Sequence, residues 1–255
     1  MIFRSSQFAT FKQCPRRAYY KYELGLRKKH DGKNIHLEFG KMLHEAIEAF
    51  HRNDAIEAGL EVINEWELPF DKVKNHHVGR SLLMQYARNN TIEVVSYERE
   101  FSFSIGNHTW KGRFDNIGIY NGKRFVGEYK TTNPRYLQAK PNDQFISYWA
   151  GAMIFYNDIA GIALTNLDPT KVQVSRSFIN FSRSEFEEWI NETKMVCAYF
   201  SRCKGKGDFP RHPQACQSFG RLCPYHELCS EPEVTRQAFI DRFYTVDEEA
   251  KNLSW

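Results

Sequence analysis

The 255-residue sequence has no long apolar run. Its longest stretch with little polarity, Tyr148–Tyr156, is about half of the ~20 residues that a membrane span needs. The opening MIFRSSQFATFKQC lacks the apolar centre and small-residue cleavage site of a secretory signal. Internal repeats, a collagen-like period and a disordered composition are also missing. Charge of one sign is scarce: 35 Lys and Arg against 31 Asp and Glu leave a formal +4. That excess is too small to indicate a nucleic-acid partner by itself. Cations concentrate only near the start, in Arg16, Arg17, Lys21, Arg27, Lys28 and Lys29. These absences set the expectation of a cytoplasmic protein with no membrane partner. Its six cysteines should then stay reduced, serving core packing, metal binding or catalysis rather than disulfides.

What is present is enough apolar residue, 42%, for one substantial core. Ser5 or Ser6 is placed to cap a first helix carrying Phe8, Phe11 and Tyr19, interrupted or restarted at Pro15. Phe39, Leu43, Ile47 and Phe50 recur at helical spacing and predict a helix over Leu37–His51. A weaker helical pattern covers Asp71–Arg88. Val95–Ile105, Trp110–Tyr120 and Arg124–Thr131 then read as strands, separated by Gly106-Asn107 and by Asn121-Gly122, a strong hairpin signal. Asn142–Tyr156 returns to helix, followed by a loop through Asp168-Pro169 and a strand over Val172–Phe181. Ser182 and Glu185 fit a capping box opening a helix to about Cys203. This order predicts an α/β fold: a helix, a three-stranded antiparallel or mixed sheet, a helix and a strand. A helical segment 1–35 would precede the core, 36–203, and a Cys-rich segment 204–255 would follow and pack on the N-terminus.

The stretch GRFDNIGIYNGKRFVGEYKTT carries the chemistry. Strand side chains alternate faces, so Glu128 and Lys130 share a side while Tyr129 points away. The Asn121-Gly122 turn folds the preceding strand back, and Asp115 can approach Glu128 across the hairpin. Two carboxylates about 4 Å apart repel by roughly 4 kcal/mol at an effective dielectric near 20. They need a cation or a raised pKa to sit together. Mg²⁺ or Mn²⁺, which favour oxygen ligands, would satisfy them, with Lys130 orienting a water or stabilising charge on phosphoryl oxygens. His44 lies on the amphipathic helix, but no second His at position 48 completes a zinc-protease motif. Gln144 and Tyr148, four apart, share a helical face. His51, His76 and His77 offer no constellation and read as surface residues.

Together these segments resemble the PD-(D/E)xK nuclease superfamily, in its RecB-like branch. SSQFATFKQCPRRAYYKYELGL is similar to that branch's opening helix, GKMLHEAIE to its G-x3-H-x3-E helix, and QFISY to its Q-x3-Y helix. GRFD and EYK supply the acidic and basic residues, with Phe114 standing where the superfamily name has Pro. The resemblance implies a restriction-endonuclease-like fold and hydrolysis of DNA by metal-activated water, leaving a 5′-phosphate and a 3′-hydroxyl. It implies Asp115, Glu128 and Lys130 as catalytic residues. His44, Asp115, Glu128 and the Tyr129 backbone carbonyl would be metal ligands, with Glu48 in support. Gln144, Tyr148, Arg16 and Arg17 would contact DNA, and Tyr19 and Tyr20 are available for stacking. An exonuclease in recombination, replication or repair, of prokaryotic or phage origin and with a helicase or recombination partner, is the expected reading. A catalytically silent DNA-binding module and a restriction-type endonuclease are the alternatives.

Cys216, Cys223 and Cys229 fall within 14 residues, an array that suggests a metal-bound loop. Cys14 can supply a fourth thiolate if the termini meet. By resemblance to branch members with one N-terminal and three C-terminal cysteines, the four would hold a [4Fe–4S] cluster. Zinc, with His226 as a substitute ligand, is the competing metal. Cys197 reads as core, and Cys203 is an outside candidate for the fourth ligand.

Overall fold

The computed structural model describes residues 1–255 apart from 30, 31, 33, 134–139, 219, 249, 250 and 252–255. Two compact units are present. One gathers Met1–Gly32, Ser102–Lys111 and Glu187–Trp255, and the other holds Lys33–Phe101 and Gly112–Phe186. Among the described residues no helix is long and apolar enough to cross a membrane.

The chain opens with β1 (Ile2–Phe3), α1 (Ser5–Gln13) and α2 (Pro15–Ala18), which runs on into a π-helical turn over Tyr19–Glu23. Arg4, without a side-chain cap bond, precedes α1, so neither Ser5 nor Ser6 caps it. Pro15 takes the first position of α2, where its missing N–H costs nothing, and restarts the helix as expected. Next come β2 (Leu26–Lys28), α3 (Ile35–Asn53), α4 (Ile56–Glu65) and α5 (His76–Asn89). Asn34 caps α3 by accepting from the His36 N–H, and Asp54 closes it in a left-handed conformation. The buried stripe of α3 is Phe39, Met42, Leu43, Ala46 and Ile47. It packs with Ile63 of α4 and with Leu82, Leu83 and Tyr86 of α5. The sequence reading passed over α4. Its two glycine and alanine positions weaken the pattern, yet Gly59 is what lets α4 lie close to α3: a Cβ there would fall 2.6 Å from the Ala46 carbonyl oxygen.

The sheet begins with β3 (Glu93–Ile105), β4 (His108–Tyr120) and β5 (Lys123–Lys130). Asn121 and Gly122 both have positive φ, 48° and 72°, as the primed two-residue turn requires. The antiparallel β4–β5 register runs from Asn116↔Gly127 to Tyr120↔Lys123. After α6 (Asp143–Ala152), β6 (Ile159–Asp168) lies parallel to β5, and β7 (Gln173–Ile179) lies antiparallel to β6. Strand order is β1-β4-β5-β6-β7, with β3 also paired to β4.

β6 corrects the reading of 157–169 as loop. Nine of its ten residues are buried, because a central parallel strand is covered on both faces and therefore shows no alternation. The periodicity that reveals a half-buried strand is absent where burial is complete.

In the terminal unit, Phe3, Phe8, Phe11, Trp110, Trp189 and Phe200 form an aromatic core of edge contacts, such as Phe8–Trp110 at 5.1 Å between ring centres. Here lie α7 (Arg183–Lys206), which begins in the other unit, then β8 (Gln217–Ser218), β9 (Arg221–Leu222), α8 (His226–Ser230), α9 (Glu233–Phe243) and β10 (Tyr244–Val246). The predicted capping box opens α7: Ser182 N–H donates to Glu185, and Glu185 N–H donates to Ser182 Oγ. β10 pairs antiparallel with β2, so the two ends of the chain share a sheet.

Candidate active site

One step beyond the Asn116–Gly127 pair, β4 and β5 present Asp115 and Glu128 to one another. Asp115 Oδ2 accepts the Tyr129 backbone N–H at 2.9 Å. Glu128 is 2% exposed, and Lys130 Nζ meets its Oε1 at 2.5 Å. The other carboxylate oxygen, Oε2, is buried with no hydrogen-bond partner.

α3 brings in His44. Gly40, one turn earlier, makes this approach close: a Cβ at that position would sit 3.1 Å from Thr131 Oγ1, just past the end of β5. His44 Nε2 lies 3.0 Å from the Tyr129 carbonyl oxygen, and Nδ1 lies 3.5 Å from Asp115 Oδ1. Glu48, expected in support, is tied by Arg52 one turn along the same helix.

α6 supplies the remaining groups. Asn142 caps it, accepting from the N–H groups of Gln144 and Phe145. Gln144 then bridges the centre: its Oε1 accepts from Lys130 Nζ at 3.0 Å, and its Nε2 donates to Glu128 Oε1 at 3.0 Å and to Tyr148 Oη at 2.9 Å. Seven predicted residues, His44, Asp115, Glu128, Tyr129, Lys130, Gln144 and Tyr148, thus meet in one place. A cleft of about 580 Å³ opens on it, lined by His44, Asp115, Lys130, Trp66, Lys41 and Arg113 among others.

The charges at this centre are unequal. Burial, then the Asp115 charge, pushes the Glu128 carboxyl up to about 7 against the opposing pull of Lys130. Burial works to raise Asp115 as well, but the bond and charge of His44 and the Tyr129 N–H outweigh it and hold the carboxyl low. Burial would lower His44, yet Asp115 and then Glu128 leave the imidazole raised. Two carboxylates thus face Lys130 and the raised His44, and Glu128 Oε2 still lacks a donor. Among the described residues no three His, Cys, Asp or Glu side chains are already arranged around a common ion position. The His44 ring instead bonds the Tyr129 carbonyl directly.

Behind β5, on the face opposite Glu128, lies a polar chain that the sequence did not disclose. Tyr129 Oη, buried, is 3.0 Å from Tyr86 Oη and accepts from Asn116 Nδ2 at 2.9 Å. His51 Nε2 lies 2.6 Å from Tyr86 Oη. His51 is therefore no surface residue, and His76 bonds the Trp66 carbonyl through Nε2. The signal for His51 was its place seven residues after His44, two turns along one helix face. Gly127 belongs to the same arrangement, because a Cβ there would lie 2.1 Å from Asn116 Oδ1.

Arg16 and Arg17 lie in the terminal unit and are engaged within it. Arg16 donates from Nε to the Phe209 carbonyl, and Arg17 donates to Gln13 Oε1 at 3.3 Å. Tyr19 stacks on Phe209 at 4.8 Å, and Tyr20 is buried against Tyr225. Cys14 caps α2, while the β8–β9 hairpin brings the Cys223 N–H to the Cys216 carbonyl at 2.8 Å. All six cysteines are free thiols. Burial raises Cys223 and Cys229, and each is raised further by the neighbouring sulfurs of Cys14 and Cys216. Cys14 and Cys216 therefore lie within electrostatic reach of Cys223 and Cys229. Cys197 and Cys203 are buried on α7 instead.

A family model described as the PD-(D/E)XK nuclease superfamily matches residues 5–230. No curated protein matches the chain. A crystal structure of a candidate exonuclease from Eubacterium rectale is similar in fold, with a TM-score of 0.54 and 11% identity, covering 84% of this chain and 85% of that one. A crystal structure of SSO0001 aligns at 18% identity with a TM-score of 0.39, over 90% and 85% of the two chains.

Proposed function

Because the chain belongs to the PD-(D/E)XK nuclease superfamily, and is thus a phosphodiester-hydrolysing nuclease, we propose that it is a metal-dependent deoxyribonuclease of the RecB-like branch acting as an exonuclease. The observation that carries this reading is the buried, unpartnered Oε2 of Glu128 beside a second carboxylate. An orphaned carboxylate oxygen beside a second carboxylate fits a hard dication, Mg²⁺ or Mn²⁺. Asp115, Glu128, the Tyr129 carbonyl and the His44 imidazole would hold it. Such an ion supplies Lewis acidity toward a phosphate oxygen and acidifies water.

The chain's own groups do the rest. Lys130, steadied by Gln144, keeps its ammonium at the carboxylates, where it orients the attacking water and offsets charge on the phosphoryl oxygens. Gln144 and Tyr148 contact the strand beside the scissile phosphate. Arg16 and Arg17 add attraction to the backbone. Cys14, Cys216, Cys223 and Cys229 hold a [4Fe–4S] cluster; the support is four free thiols from both chain ends, with Cys14 and Cys216 acting on Cys223 and Cys229.

The test is incubation of end-labelled linear and covalently closed circular DNA with Mn²⁺ or Mg²⁺. Loss of linear DNA with circles intact is expected. Cut circles would indicate an endonuclease, and two intact substrates would indicate a binding module without turnover.

A further inference from the structure

One buried polar side chain on the catalytic face has no place in the mechanism above. β5 and β6 run parallel with Glu128 opposite Leu164 and Lys130 opposite Asn166. Partnered residues of adjacent strands project to the same face, so Asn166 stands beside Lys130 on the face that carries Glu128. On its other flank the register partner is Ser175 of β7, which is exposed. Asn166 is 4% exposed, and neither its Oδ1 nor its Nδ2 has a hydrogen-bond partner.

A buried carboxamide bonded to nothing opposes folding. Leu164, two residues earlier on the same face, is a buried aliphatic side chain. The charged group beside the amide is Lys130. An ammonium carries three donors. Glu128 Oε1 and Gln144 Oε1 take two of them. Among the described residues, Gln144 is then the one acceptor still bonding the ammonium once Glu128 is drawn toward a ligand.

We propose that Asn166 is a positioning residue for the hydrolysis: when a ligand draws Glu128 away, its Oδ1 accepts the third N–H of Lys130 and holds the ammonium toward the scissile phosphate. The proposal rests on the assignment of Lys130 as a catalytic group. It deepens that assignment by placing a second strand in the support of the site.

The experiment uses the full chain and three variants, with kcat and KM on linear DNA and the melting temperature of the metal-free protein. Asn166→Leu keeps the volume and removes the acceptor. Its kcat is expected to fall about ten-fold with KM unchanged, as loss of one charge-assisted bond predicts, while its melting temperature rises. Asn166→Asp keeps the acceptor, and its kcat is expected to stay within about three-fold of the parent. A purely structural role would move the other way, with kcat and melting temperature falling together. That result overturns the proposal, as does an unchanged kcat in Asn166→Leu or equal losses in the Leu and Asp variants. Lys130→Ala separates the two levels of failure. If it still cleaves, the site assignment fails and takes Asn166 with it; if it is dead beside a fully active Asn166→Leu, only the role of Asn166 is lost.

Discussion

The carboxylate site draws its groups from one hairpin and two helices within residues 33–186, and it ties them to each other. Gln144 alone bonds Lys130, Glu128 and Tyr148, and Asp115 is fixed by the Tyr129 N–H. The four cysteines proposed as cluster ligands come instead from opposite ends of the chain. No hydrogen bond joins Cys14 directly to Cys216, Cys223 or Cys229 among the contacts described. Elsewhere the ends are joined by packing, as in Phe11 against Phe200, and by the β2–β10 pairing, the Arg16 N–H to the Pro210 carbonyl and Tyr225 Oη to the Leu26 carbonyl. A site whose groups hold one another survives the loss of its ion. A site whose ligands meet only through the ion does not.

That difference predicts opposite responses to damage. The largest effect is expected on catalysis: Asp115→Ala should lower single-turnover cleavage by at least about 10³. Its circular dichroism and melting temperature should match the parent, since Asp115 is one bond among many. Recovered cleavage in that variant would remove Asp115 from the site. Cys223→Ala should do the reverse, losing soluble yield and the visible absorbance near about 400 nm that an iron–sulfur cluster gives. A colourless parent protein, or one holding zinc by elemental analysis, would leave the cluster without support. Chelation of divalent ions should accordingly stop cleavage without unfolding the chain.

The smallest expected effect sharpens the picture behind β5. Burial, then the charge of Arg176, lowers His51 from its ordinary 6.5 to about 4. Between those values the unfolded chain takes up a proton that the folded chain refuses, so stability falls as pH drops below about 6.5 and goes on falling to about 4. His51→Gln removes that proton difference. Its melting temperature should decline less than the parent's between pH 7 and 4.5, and parallel curves would show that His51 does not carry the effect.

The sequence disclosed most where local chemistry and tertiary structure agree. Asn121-Gly122 dictates its turn, that turn sets the hairpin, and alternation along β5 puts Glu128 and Lys130 on one face. Gly40, His44, Gln144 and Tyr148 followed from helical spacing together with the family resemblance. What escaped was determined by burial from both sides or by distant partners. β6 has no amphipathic signature because both its faces are covered. His51 and Tyr86 meet through the packing of α3 on α5, and nothing adjacent in sequence to either names the other. Asn116 lies next to Asp115 in plain sight, but its value depends on the face that it shares with Tyr129.

The empty flank of Gly127 has one more consequence. The Asn116 amide folds over it to reach Tyr129, filling the space where any side chain would stand. If the hairpin zipped up one residue out of step, Val126 or Glu128 would confront that amide and be refused room. Asn116 and Gly127 thus work as a key and its slot, rejecting slipped alignments while the protein folds. Alignment of the two acidic residues is settled by a neighbour that takes no part in the chemistry.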